Sequence, residues 1–287
     1  MAITLKDYQA VTNAIGQTLY VEKKTFDLVY GLLEKEGSHI VLFGERGTAK
    51  TEFAGAVFAK IGIPVFQSEF GAISSGEQLD GERTIDDNGK LTNVPTQLLL
   101  AIQSAALGVP VGLLADELNR VQSAAAANKL LRLFAQGEYV TDLHGVLKIA
   151  PGNLKTIATM NIGYHGTVRL NEALLDRFDP IEMRAIGGEV LAKMLSERFP
   201  TIDKKIVTKV VSLVDKTRSA AMSDEDIVGL STRDAIRILR GVRIGFSPVE
   251  AIAELIGGQL RVLSASEAVV EGLVAQAKAM FPITSAA

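Results

Sequence analysis

The chain has no cysteine and no tryptophan, three histidines, and only 6% aromatic residues in 287. Without thiols, neither a disulfide nor a thiolate-held metal can form, which suits the expected cytoplasmic localisation. With so few aromatic rings, no stacking surface for single-stranded nucleic acid is advertised. The formal net charge is −3, so no global positive field draws in a polyanion. The separations of His39, His144 and His165 match no metal-ligand pattern, and structural or surface roles are expected of them. Long apolar runs are missing too. The most apolar stretch, Leu98 to Ala115, is broken by Gln103, Ser104 and Pro110. It reads as the end of a helix, a turn and a buried strand, so no membrane span is expected. The opening residues, Met1 to Asp7, carry no apolar core, and no secretory signal is expected.

What remains is ordinary globular material, 47% hydrophobic and 22% charged, enough for one large domain or two modest ones. One stretch organises it: Gly44-Glu45-Arg46-Gly47-Thr48-Ala49-Lys50-Thr51, between the apolar run His39 to Phe43 and a helix-like run from Glu52. Strand, glycine-bearing turn, lysine, hydroxyl and helix is the order a phosphate-binding loop needs. The glycines let several backbone N–H groups converge on one anion, and the helix start adds its positive dipole end. Lys50 would reach the β- and γ-phosphates, and the Thr51 hydroxyl would ligate Mg²⁺. Glycine usually precedes the lysine. Ala49 stands there instead, which is tolerable if the position has φ < 0. The bland alternative is an ordinary strand-to-helix turn.

Periodicity organises the rest. Residues 1 to about 38 are expected to be helical, with Phe26, Val29, Leu32 and Leu33 on one stripe. A second strand is expected over 64–70. A hairpin is expected over 81–92, with its turn at Asn88-Gly89. Helix from Pro95, strand from Val111, helix from Ser123, a second hairpin over 139–149 and a strand over 154–160 follow. A short helix over 170–178 and a short strand at 180–183 close this part. From about Ala185 only helical patterns remain, near 187–198, 202–220, 231–244, 248–258 and 264–280. The fold expected is α/β, a P-loop parallel sheet flanked by helices over residues 1–184. A smaller all-helical lid domain over 185–287 follows it.

Several polar residues fall where strands end. Asp116-Glu117 closes the apolar strand Val111 to Ala115, at the sheet edge where α/β proteins bind ligands. Asp116 would hold Mg²⁺ through water, and Glu117 would deprotonate the attacking water. A polar strand end capping the next helix is the alternative. Asn161 ends another strand, where its amide either positions that water or simply makes a turn. Arg177 and Arg233, taken singly, read as solvated surface arginines.

Taken together, the phosphate loop, Leu113 to Arg120, Ile157 to Asn161, Leu170 to Phe178 and Ser231-Thr232-Arg233 resemble the AAA+ ATPases of the MoxR type, in the helix-2-insert group. The resemblance covers nearly the whole chain in order. Alanine before the lysine becomes a family trait, and the two hairpins become family insertions. Arg46, Ile162 and Thr232 each replace a proline frequent in the family, and no charged group is lost. The resemblance implies that Lys50 and Thr51 are the Walker A pair and that Asp116 and Glu117 are Walker B. It makes Asn161 sensor 1 and Arg233 sensor 2. Arg177 becomes an arginine finger serving a neighbouring subunit, with Arg120 and Arg169 next in line. It implies ATP and Mg²⁺ as cofactors and a homo-oligomeric ring, commonly of six. A protein client and a von Willebrand A domain partner would follow. A nucleic-acid motor and an ATP-gated scaffold without turnover are the other two readings.

Lys50→Ala is expected to abolish tight ATP binding, because no other lysine lies in the loop. Titration with a fluorescent nucleotide analogue checks this, and wild-type affinity in the variant contradicts the phosphate-loop reading.

Overall fold

The computed structural model describes residues 4–282 apart from 14–15, 17, 72, 86–88, 90, 142–143, 163–170, 224–226, 228 and 264–265. It divides into two compact units, Gln9–Arg184 and Ala185–Ala287 with Met1–Tyr8.

The first unit is built on five parallel strands in the order β11-β3-β10-β7-β4. These are β3 (Ile40–Gly44), β4 (Val65–Glu69), β7 (Val111–Asp116), β10 (Leu154–Asn161) and β11 (Asp179–Glu182). The inner strands read as continuous apolar runs because both faces are covered. Alternate side chains part company accordingly. Val41, Leu113, Ala115 and Ala158 pack in one core with α3 (Gln97–Ala106) and α4 (Ala124–Gln136). Ile40, Leu42, Leu114 and Ile157 enter another with α1 (Lys23–Gly31) and α2 (Lys50–Ile61). Local chemistry sets the helix ends. Ser123 caps α4 by accepting the Ala126 N–H, and Gly137 ends it in the left-handed region. Thr96 caps α3 in the same manner from Leu99 N.

The expectation of helix from residue 1 to about 38 is corrected. β1 (Tyr8–Thr12) and β2 (Thr18–Glu22) form a two-stranded sheet before α1 begins. In Thr18-Leu19-Tyr20-Val21-Glu22, Leu19 and Val21 are buried in the same core as Phe26 and Val29, while Thr18 is exposed. That is a two-residue period, which a stripe counted from Val21 onward conceals.

Two hairpins project from the sheet unit, β5 (Gly81–Ile85) with β6 (Leu91–Pro95) and β8 (Glu138–Thr141) with β9 (Gly145–Lys148). Asn88 of the first hairpin's expected turn, and Asp142 and Leu143 within the second expected hairpin, lie outside the described residues. A buried polar knot joins the hairpin roots. Tyr139 Oη donates to Asp80 Oδ1 at 2.7 Å, and Lys129 Nζ of α4 meets Asp80 Oδ2 at 2.8 Å. Burial, then the neighbouring carboxylate, push the Tyr139 phenol above its ordinary range.

The second unit holds α6 (Gly188–Arg198), α7 (Lys204–Ala221), α8 (Thr232–Arg243), α9 (Pro248–Ala251), α10 (Gly257–Val262) and α11 (Glu267–Met280). Its own core includes Leu195, Val210, Leu239, Ile252 and Leu273. Among the described residues of the chain, no helix is long and apolar enough to cross a membrane.

His39 precedes β3 and packs edge-on to Phe134 and tilted against Phe178, with ring centroids 5.0 and 6.0 Å away. Burial lowers its pKa from 6.5 to about 4. The unfolded chain therefore takes up a proton below pH 6.5 that the folded chain refuses until about pH 4. Stability is fully present above pH 6.5 and falls toward pH 4, by up to about 3 kcal/mol. His39→Phe is expected to remove this component, so urea midpoints of variant and wild type diverge between pH 7 and pH 5. Parallel pH profiles contradict the assignment.

Candidate functional site

The phosphate loop leaves β3 at Gly44 and enters α2 at Lys50. Gly44 is wedged against β11. A Cβ there would run into the Met183 carbonyl oxygen, and φ is 152°. Gly47 has φ 83°. Ala49 sits at φ 61° and ψ 32°, in the left-handed region, so the expectation of φ < 0 is corrected. The turn of the loop, not the residue, dictates this conformation, at a cost of about 1–2 kcal/mol for an L residue. Lys50 is 6% exposed. Its Nζ donates to Gly44 O at 3.0 Å, Glu45 O at 2.7 Å and Thr48 Oγ1 at 3.3 Å. The ammonium thus lies inside the arc of the loop. Glu45 and Arg46 are exposed, and Thr48 is buried, donating to Glu45 O at 3.0 Å.

Parallel register delivers the other groups to the same edge. Asn161 is level with Gly44, and Glu69 with Asp116. The Thr51 hydroxyl donates to the Asp116 carboxylate, 3.2 Å from each oxygen. Thr159 Oγ1 also donates to Asp116 Oδ1, and it accepts the Glu117 N–H at 3.1 Å. Glu117 adopts φ 56° and ψ 42°. With Ala49 it is one of two non-glycine residues at positive φ among the described residues. Both lie at this edge, where strain marks function more often than packing. The Glu117 carboxylate is held on both oxygens. Asn161 Nδ2 donates to Oε1 at 3.3 Å, and Arg120 Nη1 meets Oε2 at 3.1 Å. Gly71 leaves room for that pair, since a Cβ there would stand 3.1 Å from Glu117 Oε2. Asn119 Nδ2 donates to Asn161 O at 2.9 Å, lacing the two strand ends together.

Arg177, expected at the site, is not brought to this edge. Arg177 is exposed just after α5 (Glu172–Leu175). The following Phe178 packs its ring 4.8 Å from Phe134, beside His39. Asp179 is level with Ile40, so Arg177 stands where the strands begin. At about 3.3 Å per residue, the four steps from Ile40 to Gly44 put that edge about 13 Å from Gly44. Arg233 belongs to the helical unit, exposed in the first turn of α8. Arg218 braces the backbone before it, donating to Leu230 O at 2.8 Å, Ile186 O at 2.7 Å and Thr232 Oγ1 at 3.2 Å. Arg169 and His165 lie outside the described residues.

Residues 39–178 match the AAA domain family, dynein-related subfamily. This segment is an AAA domain. The match runs from the strand before the phosphate loop to the residue after Arg177. An uncharacterized Staphylococcus epidermidis protein is 26% identical over 219 residues, 74% of this chain and 77% of that protein. The uncharacterized Bacillus subtilis protein YojN is 25% identical over 207 residues, 72% and 67% of the two chains. Two Thermotoga maritima RuvB variants share the fold with a TM-score of 0.51, at 14% and 15% identity. Each comparison covers 88% of this chain and 67% of that one. The five-stranded sheet with its helical C-terminal region is thus the AAA+ P-loop fold.

Within the AAA domain, the residues that sequence reasoning passed over are Thr159, Asn119 and the Arg120 ion pair. Thr159 left a faint signal, a hydroxyl two positions before Asn161 in a mostly buried strand. Asn119 and Arg120 stood in the run from Leu113 that carries the resemblance, but their partners come from the fold of the turn.

Ala49→Gly is expected to raise stability by about 0.5–1 kcal/mol, the relief of the left-handed backbone less the greater unfolded freedom of glycine. Ala49→Val is expected to lower it, since a β-branched residue tolerates this region worst. Urea unfolding of the three proteins checks the order Gly, Ala, Val.

Proposed function

We propose that the chain is a Mg²⁺-dependent ATPase that works as a homo-oligomeric ring, of six subunits on the MoxR-type reading, and uses hydrolysis to remodel a protein client. The supporting observation is the division of charge between the two sheet edges. Lys50, Thr51, Asp116, Glu117 and Asn161 converge on one edge, while Arg177 stands at the other. A subunit whose arginine cannot reach its own phosphate loop has a complete site only beside a second copy.

In this reading the loop amides, the α2 N-terminus and Lys50 hold the β- and γ-phosphates. Thr51 and Asp116 supply adjacent hard oxygen donors that fit Mg²⁺, which typically keeps waters and substrate oxygens rather than an all-protein cage. When bound, Mg²⁺ neutralises charge on the β- and γ-oxygens. Asn161 holds Glu117 through Oε1, and the Glu117 carboxylate takes the proton of the attacking water. Arg233 serves as sensor 2 from the helical unit, and the hairpins present the surface that grips the client. A von Willebrand A domain protein is the partner class that this branch implies.

Mixing subunits tests both the base and the ring. Glu117→Gln is expected to bind ATP with turnover lowered about 10²–10⁴-fold, the usual worth of a general base. Arg177→Ala is expected to bind ATP and turn over poorly as a uniform assembly. Combined, an Arg177→Ala subunit beside a Glu117→Gln subunit regains a full site, so activity rises on mixing and with protein concentration. Mixed assemblies that stay as inactive as their parts contradict the trans assignment.

A further inference from the structure

Thr159 has no assigned task in the proposed reaction, yet its hydroxyl occupies the junction of two groups that do. The residue is 2% exposed in β10, two positions before Asn161. Its single proton goes to Asp116 Oδ1, because an ionised carboxylate can only accept. A lone pair then receives the Glu117 N–H at 3.1 Å. One oxygen therefore orients the carboxylate offered to the cation and pins the backbone of the base. The backbone it pins is left-handed, with φ 56°, a conformation that costs about 1–2 kcal/mol and persists only when neighbours hold it.

We infer that Thr159 is a positioning residue that couples cation binding at Asp116 to the placement of Glu117. This rests on the ATPase reading above. Thr156 provides the matched contrast. It lies in the same strand, is fully buried, and its hydroxyl has no hydrogen-bond partner. Threonine to valine is therefore the same change of shape at both positions, and only at 159 does it remove hydrogen bonds.

The experiment compares Thr159→Val, Thr159→Ser, Thr156→Val and Glu117→Gln in the full chain. Affinity for a fluorescent ADP analogue is measured with and without Mg²⁺, alongside kcat and KM for ATP and the melting temperature. Thr159→Val is expected to bind the analogue normally without Mg²⁺ and to lose about 10–100-fold of the affinity that Mg²⁺ adds, the usual effect of removing a ligand's supporting hydrogen bond. Its kcat is expected to fall more than its KM rises. Thr159→Ser is expected to restore both, and Thr156→Val to match wild type in both. If Thr159→Val does not fold, Thr159→Ala is read in the same way. Wild-type kcat and Mg²⁺ gain in Thr159→Val, with Glu117→Gln inactive, overturn the inference. So does a defect shared with Thr159→Ser or Thr156→Val, which marks packing. Full turnover in Glu117→Gln overturns the base assignment on which the inference rests, and no ATP turnover in the wild-type chain overturns the ATPase reading instead.

Discussion

The carboxylate of Asp116 is the point on which the site depends. It receives hydroxyl hydrogen bonds from Thr51 on the helix after the phosphate loop and from Thr159 on the neighbouring strand. Three chain segments that are distant in sequence meet on one side chain. Parallel pairing makes this possible, because β3, β7 and β10 all end at the same edge of the sheet. The same pairing carries the Glu117 N–H to Thr159 and the Asn161 amide to Glu117. Moving any one of these groups by a residue along its strand would turn it to the other face.

Strain and support occur together here. Ala49 and Glu117 hold left-handed conformations that L residues avoid, and each flanks a charged group of the site. Ala49 is fixed between a loop closed by the Lys50 ammonium and a helix that starts at the next residue. Glu117 is fixed at its N–H and at both carboxylate oxygens. The conformations are held locally and aim Lys50 inward and Glu117 across the edge. Much the same principle places the hairpins, whose roots share the buried Asp80 knot rather than standing as independent loops.

Much of the α/β unit was legible in the chain. Strands buried on both faces announce themselves as short apolar runs, and the helices begin and end at Ser123, Thr96 and Gly137 for stated local reasons. The N-terminal two-stranded sheet was not legible. Its alternating burial spans five residues, too short to outweigh the helical stripe that follows. The sign of φ at Ala49 was misread for a related cause. A methyl group carries a local preference, and the closure of the loop around it overrides that preference.

The amino-acid order by itself determined that these polar groups gather at one sheet edge, since a loop of Gly44 to Thr51 after one apolar strand and Asp116-Glu117 after another leave few other arrangements. It also determined which residue types stand there. The partnerships were decided only in three dimensions. That Thr159 serves Asp116 and Glu117, that Arg120 pairs with Glu117, and that Arg177 stands at the edge about 13 Å along the strands from the phosphate loop depend on register and strand order. Sequence spacing carries a residue's identity and its distance along the chain. Which hydroxyl meets which carboxylate is set by how strands slide and twist against one another. That is a property of the packed sheet and of no single segment.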